Sequence, residues 1–355
     1  ASLCKTWQLL YLCASAMCPG TELASTFLEY MHEVVKALEN DSEMQAAVLT
    51  ARKSLEHSMK NGPRCSIPSE EEIEAVLVGR KLKTVVFFLD GTYEDITYDI
   101  TTNVGEAVQE LAGIIKLSDY TTFGLFECQK TAEVPKGGKI GVGKFMVWGN
   151  AIVTPLSVTG NVFLDRFAAV KEYISLDANK NVGDILAEFK AAKECSKAGK
   201  PQFKLVFKKC LFRDTDDSIT EPMFMKLSYV QSQYDYLIGN YPVGRDDGVQ
   251  LAALQIFAEV GCVENLESSL DFSALVERNI PRQLASSRAK KEWEADVIAH
   301  YRTIAHLSKD EAKKQALHIL CALPYGNSIF YCVRKMEDPI GFLSGRVIIA
   351  INKRG

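Results

Sequence analysis

The chain has 355 residues, of which 47% are hydrophobic and 24% charged, with a formal net charge of -4. That balance belongs to a folded protein, and the length calls for two to four lobes rather than one core. The slight acidity argues against a general nucleic-acid binder, and the ten scattered cysteines and five scattered histidines form no Cys-x-x-Cys pair or His cluster, so buried thiols are predicted rather than a disulfide framework or a zinc site.

Residues Ser2–Gly79 read as helices. Trp7, Leu10, Tyr11 and Ala14 share one helical face, and Pro19-Gly20 breaks the pattern. Leu23, Phe27, Tyr30, Met31, Val34 and Leu38 resume it, and Ala47–Met59 gives a further helix before the breaker Asn61-Gly62-Pro63. Ser69 caps a short acidic helix, with Glu72 at the capping-box position and Ile73, Val76 and Leu77 expected inside. No basic stretch precedes the apolar Leu9–Ala16, which makes it a poor secretory signal.

At Lys81 the period changes to that of a strand. Val85–Leu89 and Tyr93–Ile100 are predicted strands around the hairpin signal Asp90-Gly91. Asn103 with Glu106 caps a helix carrying Val104, Val108, Leu111 and Ile115. Strands Phe123–Cys128 and Phe203–Phe212 bracket a helix at Val182–Lys193. This order is that of a ubiquitin-like fold. From Arg213 to Leu323 the pattern is helical again: Met223–Ile238, Asp246–Val260, a face of Trp293, Val297, Tyr301 and Ile304, and a helix boxed by Ser308 and Glu311. Pro324 and Gly326 stop that last helix, and the apolar strand Ile329–Val333 follows. Ala1 and Gly355, the latter directly after the strand-like Arg346–Ile351, read as cuts through folded elements.

Helical module, ubiquitin-like lobe, helical lobe, Leu-Pro-Tyr-Gly at Leu323–Gly326 and new strands: this succession resembles the MyTH4–FERM tandem of motor-protein tails. MyTH4-like features are Trp7-Gln8-Leu9-Leu10, Phe27-Leu28-Glu29-Tyr30, and Arg64 followed by Ile67-Pro68-Ser69 and Glu72-Ile73. The runs Val86–Asp90, Gly183–Lys190, Gly239–Asp247 and Ile351–Gly355 are most similar to the plant kinesin-like calmodulin-binding family, of kinesin-14 type. Myosin tails share the tandem as a weaker match. The resemblance implies an α+β multidomain chain. Residues 1–80 would be the C-terminal part of a MyTH4 helical domain and 81–212 the ubiquitin-like β-grasp first FERM lobe. Residues 213–325 would be the helical second lobe, and 326–355 the first strands of a truncated PH-like third lobe. It also implies a non-catalytic docking role without cofactor or metal, since the motor, its phosphate loop and the calmodulin-binding segment are absent.

An irregular insertion at about 134–170 interrupts the first lobe. Its Phe145–Leu164 holds no charged residue, but Gly149, Pro155 and Gly160 argue against a transmembrane segment. Gly138-Lys139-Ile140-Gly141-Val142-Gly143-Lys144 nearly spells a phosphate-binding loop, yet Phe145 stands where Ser or Thr should hold magnesium. Asp177, Asn179, Asn181 and Glu188 match positions of a calcium loop, but Val182 occupies the position that needs glycine. The pairs Asp216-Asp217 and Asp246-Asp247 sit at helix starts, where carboxylates cap orphan amides.

The candidate partner-binding residues are basic. Arg282, Arg288, Lys290 and Lys291 are placed on a long second-lobe helix, and Lys204, Lys208, Lys209 and Arg213 on or after a first-lobe strand. In that strand Phe203, Leu205 and Phe207 point one way and Lys204 and Lys208 the other. Two readings stay open: a solvated basic face, or contact with an acidic partner such as tubulin or anionic lipid head groups. Residues 1–80 hold seven Lys/Arg against eleven Asp/Glu, so a microtubule site in the first module must be local. The expectation is a cytoplasmic, cytoskeleton-associated docking module for microtubules or cargo proteins. The alternatives are a FERM-type linker of anionic lipids and a myosin tail.

Overall fold

A computed structural model describes residues 2–38, 41–130, 146–148, 151–153, 170–195, 202–213, 215–216, 219–268, 271–333 and 347–352. The chain forms two compact units, one of Ala1–Cys128 with Tyr173–Cys210, the other of Gln129–Glu172 with Leu211–Gly355.

The first unit begins with three helices, α1 (Ser2–Ala16), α2 (Thr21–Ala37) and α3 (Ser42–Asn61). Trp7, Tyr11 and Ala14 of α1, Met31 of α2, and Val48, Ala51 and Leu55 of α3 form their common core, joined by Ile100. α3 starts ahead of its apolar periodicity because Asp41 caps it, accepting from the Met44 amide at 3.0 Å. α4 (Glu70–Val78) carries the expected Ser69–Glu72 capping box. Its inward face differs from the prediction: Leu77 is 51% exposed, whereas Glu72 is buried. A carboxylate is drawn inside there by the cation described below.

The same unit contains a five-stranded sheet of order β2-β1-β7-β3-β6, from β1 (Leu82–Phe87), β2 (Tyr93–Tyr98), β3 (Phe123–Lys130), β6 (Val170–Ser175) and β7 (Gln202–Lys209). β1 and β2 pair antiparallel across the Asp90-Gly91 hairpin, from Leu82↔Tyr98 to Phe87↔Tyr93. β1 and β7 pair parallel, with Val86 opposite Leu205. A parallel central pair cannot be joined by a tight turn and requires crossovers. These run through α5 (Val104–Ile115) and α6 (Val182–Cys195). Val86, Ile96, Leu111, Leu125, Ile185, Leu205 and Phe207 are buried in this lobe. The arrangement is the predicted ubiquitin-like one.

The interrupting segment is not wholly irregular. β4 (Met146–Trp148) and β5 (Ala151–Val153) form an antiparallel pair, Met146↔Val153 to Trp148↔Ala151. The near phosphate-loop stretch Gly138–Lys144 lies outside the described residues.

In the second unit α7 (Pro222–Leu237), α8 (Arg245–Val260), α9 (Phe272–Arg278), α10 (Arg282–Ala285), α11 (Lys290–Thr303) and α12 (Lys309–Ala322) surround one core. α8 lies at its centre, with Leu251, Ala252, Ala253, Leu254, Ile256 and Phe257 each at most 2% exposed. A helix apolar on every side must be covered on every side. Trp293, Val297, Tyr301 and Ile304 point inward as their spacing predicts, as do Ala316, Leu317, Leu320 and Leu323. Beyond α12, β8 (Ile329–Val333) pairs antiparallel with β9 (Val347–Ile351), and Phe330 packs on Tyr241 at 5.7 Å between ring centroids. Among the described residues, no helix is long and apolar enough to cross a membrane.

Candidate partner-binding surfaces

The most elaborate polar constellation in the first unit lies where the helical module meets the ubiquitin-like lobe. Pro63 ends the breaker after α3, and Arg64 then turns inward, its amide bonded to the Ser15 carbonyl at 2.9 Å. Its guanidinium donates to Glu72 Oε1 at 2.8 Å and to Asp184 Oδ1 at 3.2 Å. The side chains of Arg64, Glu72 and Asp184 are only 2%, 6% and 5% exposed. Burying one cation between two anions is tolerable only when the remaining lone pairs are satisfied. They are: Asp184 also accepts from the Cys65 amide at 2.7 Å, the Ser66 amide at 3.0 Å and the Ser66 hydroxyl. Glu72 Oε2 takes the Ser69 amide at 2.8 Å. Burial alone would raise the Asp184 carboxyl, but the hydrogen bonds from Ser66, Cys65 and Arg64 outweigh it and hold it below the usual carboxylate range.

Gly183, at the start of α6, makes room for this cluster. A Cβ there would stand 2.5 Å from Glu72 Oε1 and 2.7 Å from Arg64 Nη2. A second bond crosses the same seam. The side-chain Oδ1 of Asn103 caps α5, accepting from the Glu106 amide at 2.8 Å, which turns the side-chain NH₂ toward His57 Nε2 of α3 at 3.2 Å.

The residues resembling a calcium loop serve local structure. Asn181 Oδ1 accepts from the Gly183 amide at 2.8 Å and so caps α6, while its NH₂ donates to the Ile100 carbonyl at 2.9 Å. Glu188 pairs with Lys180 at 2.7 Å, and Asp177 accepts from the Asn179 amide at 2.8 Å. Asp216 pairs with Arg213 at 3.2 Å, Asp217 lies outside the described residues, and Asp246 and Asp247 occupy the first turn of α8.

The eight basic candidates differ in exposure and in partners. Lys209 is 1% exposed, because the inward alternation of Phe203, Leu205 and Phe207 continues to it, and its Nζ lies 5.6 Å from the Phe123 ring centroid. Lys204 and Lys208 are half-buried, lying over Phe87 at 3.9 Å and over Phe126 and Tyr173 at 4.7 and 5.0 Å. Such lysines lend their stems and ammonium groups to the aromatic rings.

In the second unit the expected long helix is broken. Arg282 opens α10, Ser286–Ala289 turn the chain, and Lys290 and Lys291 open α11. Arg288, in the turn, is clamped by Glu292 at 3.0 Å and Asp296 at 2.7 Å and covers the Trp293 ring. Asp296 also holds Arg245 at 3.2 Å, and Lys290 pairs with Glu277 at 2.9 Å. Arg282 and Lys291 are exposed and form no ion pair among the described residues. Nine cysteines are free thiols, and of these Cys128 alone is buried while Cys18, Cys65, Cys195 and Cys262 are exposed, so the expectation of generally buried thiols fails. The four exposed ones lie in loops, except Cys195, which ends α6.

Three family models match in succession: the MyTH4 domain over residues 1–75, an RA like domain over 80–139 and the FERM central domain over 214–331. The chain is 50% identical over 355 residues to kinesin-like protein KIN-14I of Oryza sativa subsp. japonica. It is 49% identical over 353 residues to kinesin-like protein KIN-14E of Arabidopsis thaliana. The chain matches a plant kinesin-14 MyTH4–FERM tail. It spans 26% of the length of each kinesin-like relative, while 100% and 99% of the chain is covered. In structure it is similar to the C-terminal MyTH4-FERM domain of human Myosin 7b, solved in complex with the harmonin-a PDZ3 domain. That match has a TM-score of 0.61 at 19% identity, covering 98% of this chain and 62% of that one. At such identity the match speaks for the fold alone. MyTH4–FERM tails of this kind are non-catalytic modules of a type used for cytoskeletal and partner binding.

Proposed function

We propose that this tail is a non-catalytic docking module of a microtubule motor. It binds microtubules or partner proteins in the cytoplasm, beside the cytoskeleton, and positions a motor carried elsewhere in a longer protein. One observation carries the proposal: identity of about half, sustained from end to end, with two kinesin-like proteins of which the chain would be a quarter. In this proposal residues 1–80 are the MyTH4 part, 81–212 the first FERM lobe, 213–325 the second and 326–355 the opening of the third. Ion pairs hold Arg213, Arg288 and Lys290, and aromatic rings hold Lys204, Lys208 and Lys209, so the acidic partner is met by the exposed Arg282 and Lys291.

Co-sedimentation of residues 1–355 with microtubules across a salt series tests this. Pelleting that weakens as salt rises supports it, because exposed charge contacts are screened beyond roughly 10 Å at 0.1 M. Absence of pelleting at low salt refutes the microtubule arm. Flotation with phosphoinositide vesicles in its place would favour the lipid-linker alternative.

A further inference from the structure

Below the Arg64 cluster, α3 and the turn preceding α6 face each other across a cavity of about 230 Å³. Both parts of the first unit build it. Asn61 and Pro63 come from the helical module, and Ile100, Asp177 and Asn179 from the ubiquitin-like lobe. Pro63 and Ile100 supply apolar wall, and the other three supply polar groups with spare capacity. The side-chain amides of Asn61 and Asn179 have no partner among the described residues. Asp177 accepts one bond through Oδ1, from the Asn179 amide at 2.8 Å, and forms no ion pair among the described residues.

The other charged side chains around this cavity are held by partners. Arg64 is consumed by Glu72 and Asp184 at 2.8 and 3.2 Å, and Lys180 by Glu188 at 2.7 Å. His57 presents Nε2 to the Asn103 amide at 3.2 Å. One guanidinium between two carboxylates leaves the Arg64 cluster with one negative charge in excess, and Asp177 adds a carboxylate that has no ion-pair partner among the described residues. Polar groups with spare capacity in a concavity with apolar walls mark a binding site, and here they are the exposed carboxylate of Asp177 and the side-chain amides of Asn61 and Asn179.

We propose that this cavity receives an arginine side chain from a partner protein. A guanidinium offers five donors in a planar fork, which suits one carboxylate and two amide oxygens better than a spherical ammonium does. Its methylenes lie against Pro63 and Ile100. The partner segment is basic, in contrast to the acidic partner assigned to Arg282 and Lys291. The cavity thus serves a separate contact, and its existence does not depend on microtubule binding.

Isoleucine-methyl NMR of the full 355-residue chain tests the assignment, with N-acetyl-arginine methylamide as probe. A saturable shift of the Ile100 methyls is expected. The neutral N-acetyl-glutamine methylamide should bind at least about threefold more weakly, and Asp177→Asn should weaken the arginine probe by about three- to fivefold, the range for a partly exposed ion pair. No shift at Ile100, or equal response to both probes, overturns the assignment. So does Asp177→Asn that folds as the parent and binds the probe equally. The two-probe comparison on the unaltered chain stands even where the variant misfolds, and microtubule pelleting measured in parallel separates failure of this site from failure of the motor-tail role.

Discussion

Replacing Gly183 by alanine should lower the stability of the first unit, although inside a helix the same change ordinarily stabilises by ~1 kcal/mol. The new Cβ would fall 2.5 Å from Glu72 Oε1, 2.7 Å from Arg64 Nη2 and 3.1 Å from Arg64 Cζ. Those atoms end flexible side chains, and at a surface they would swing aside. Here they cannot, because Arg64 and Glu72 are 2% and 6% exposed and tied to Asp184, Ser66 and Ser69. Separating a buried pair costs ~3–5 kcal/mol. Set against the helix-propensity gain, a net loss of ~3 kcal/mol remains. For a unit of this size that corresponds to a fall in melting temperature of roughly 6–12 °C, readable by differential scanning calorimetry. The cost should largely vanish when Gly183→Ala is added to Arg64→Ala, since the obstacle is then gone. An alanine variant as stable as the parent, or equal costs in both backgrounds, would refute the close-approach explanation.

Other outcomes follow from the same contacts. Because the Asp184 carboxyl is held below its ordinary range when folded, its contribution is present at neutral pH. It is lost as pH falls through the folded value, below about pH 4; acid titration of the melting temperature should show a shallower fall in Asp184→Asn. Gly326→Ala should cost ~2–3 kcal/mol in guanidinium unfolding of the second unit, as for overpacking against an unyielding wall. Its Cβ would lie 2.7 Å from both the Cys321 carbonyl carbon and the Leu320 oxygen, which are backbone atoms. Arg282→Glu with Lys291→Glu should cut microtubule pelleting by about three- to tenfold at low salt without changing the melt. Arg288→Ala, which leaves Arg245 as the remaining partner of Asp296, should instead lower the melting temperature slightly.

Local chemistry made the helices legible. The capping boxes at Ser69–Glu72, Asn103–Glu106 and Ser308–Glu311 form as the spacing predicts, and the apolar face from Trp293 to Ile304 points inward. The Arg64 seam was not legible, since its partner Asp184 is 120 positions away and nothing local announces so distant a pairing. A faint signal existed in Gly183, a glycine inside a helix start where it costs stability unless something must come close. Lys209 is a candidate by charge alone, whereas the alternation through Phe203, Leu205 and Phe207 places it inward; its adjacency to Lys208 hides the period of two. The basic cluster at 282–291 failed differently. Charge counting cannot see that Glu277, Glu292 and Asp296 return on neighbouring turns to occupy Arg288 and Lys290.

The seam also governs how the first unit answers a pull. Arg64 grips a carboxylate on each side, Glu72 from the helical module and Asp184 from the sheet lobe, while the chain on either side of it is bonded to Ser15 and to Asp184. Glu72 and Ser15 bind Arg64 within the helical module, so tension drawn between the two parts falls on the bonds that Asp184 accepts from the three consecutive residues Arg64, Cys65 and Ser66.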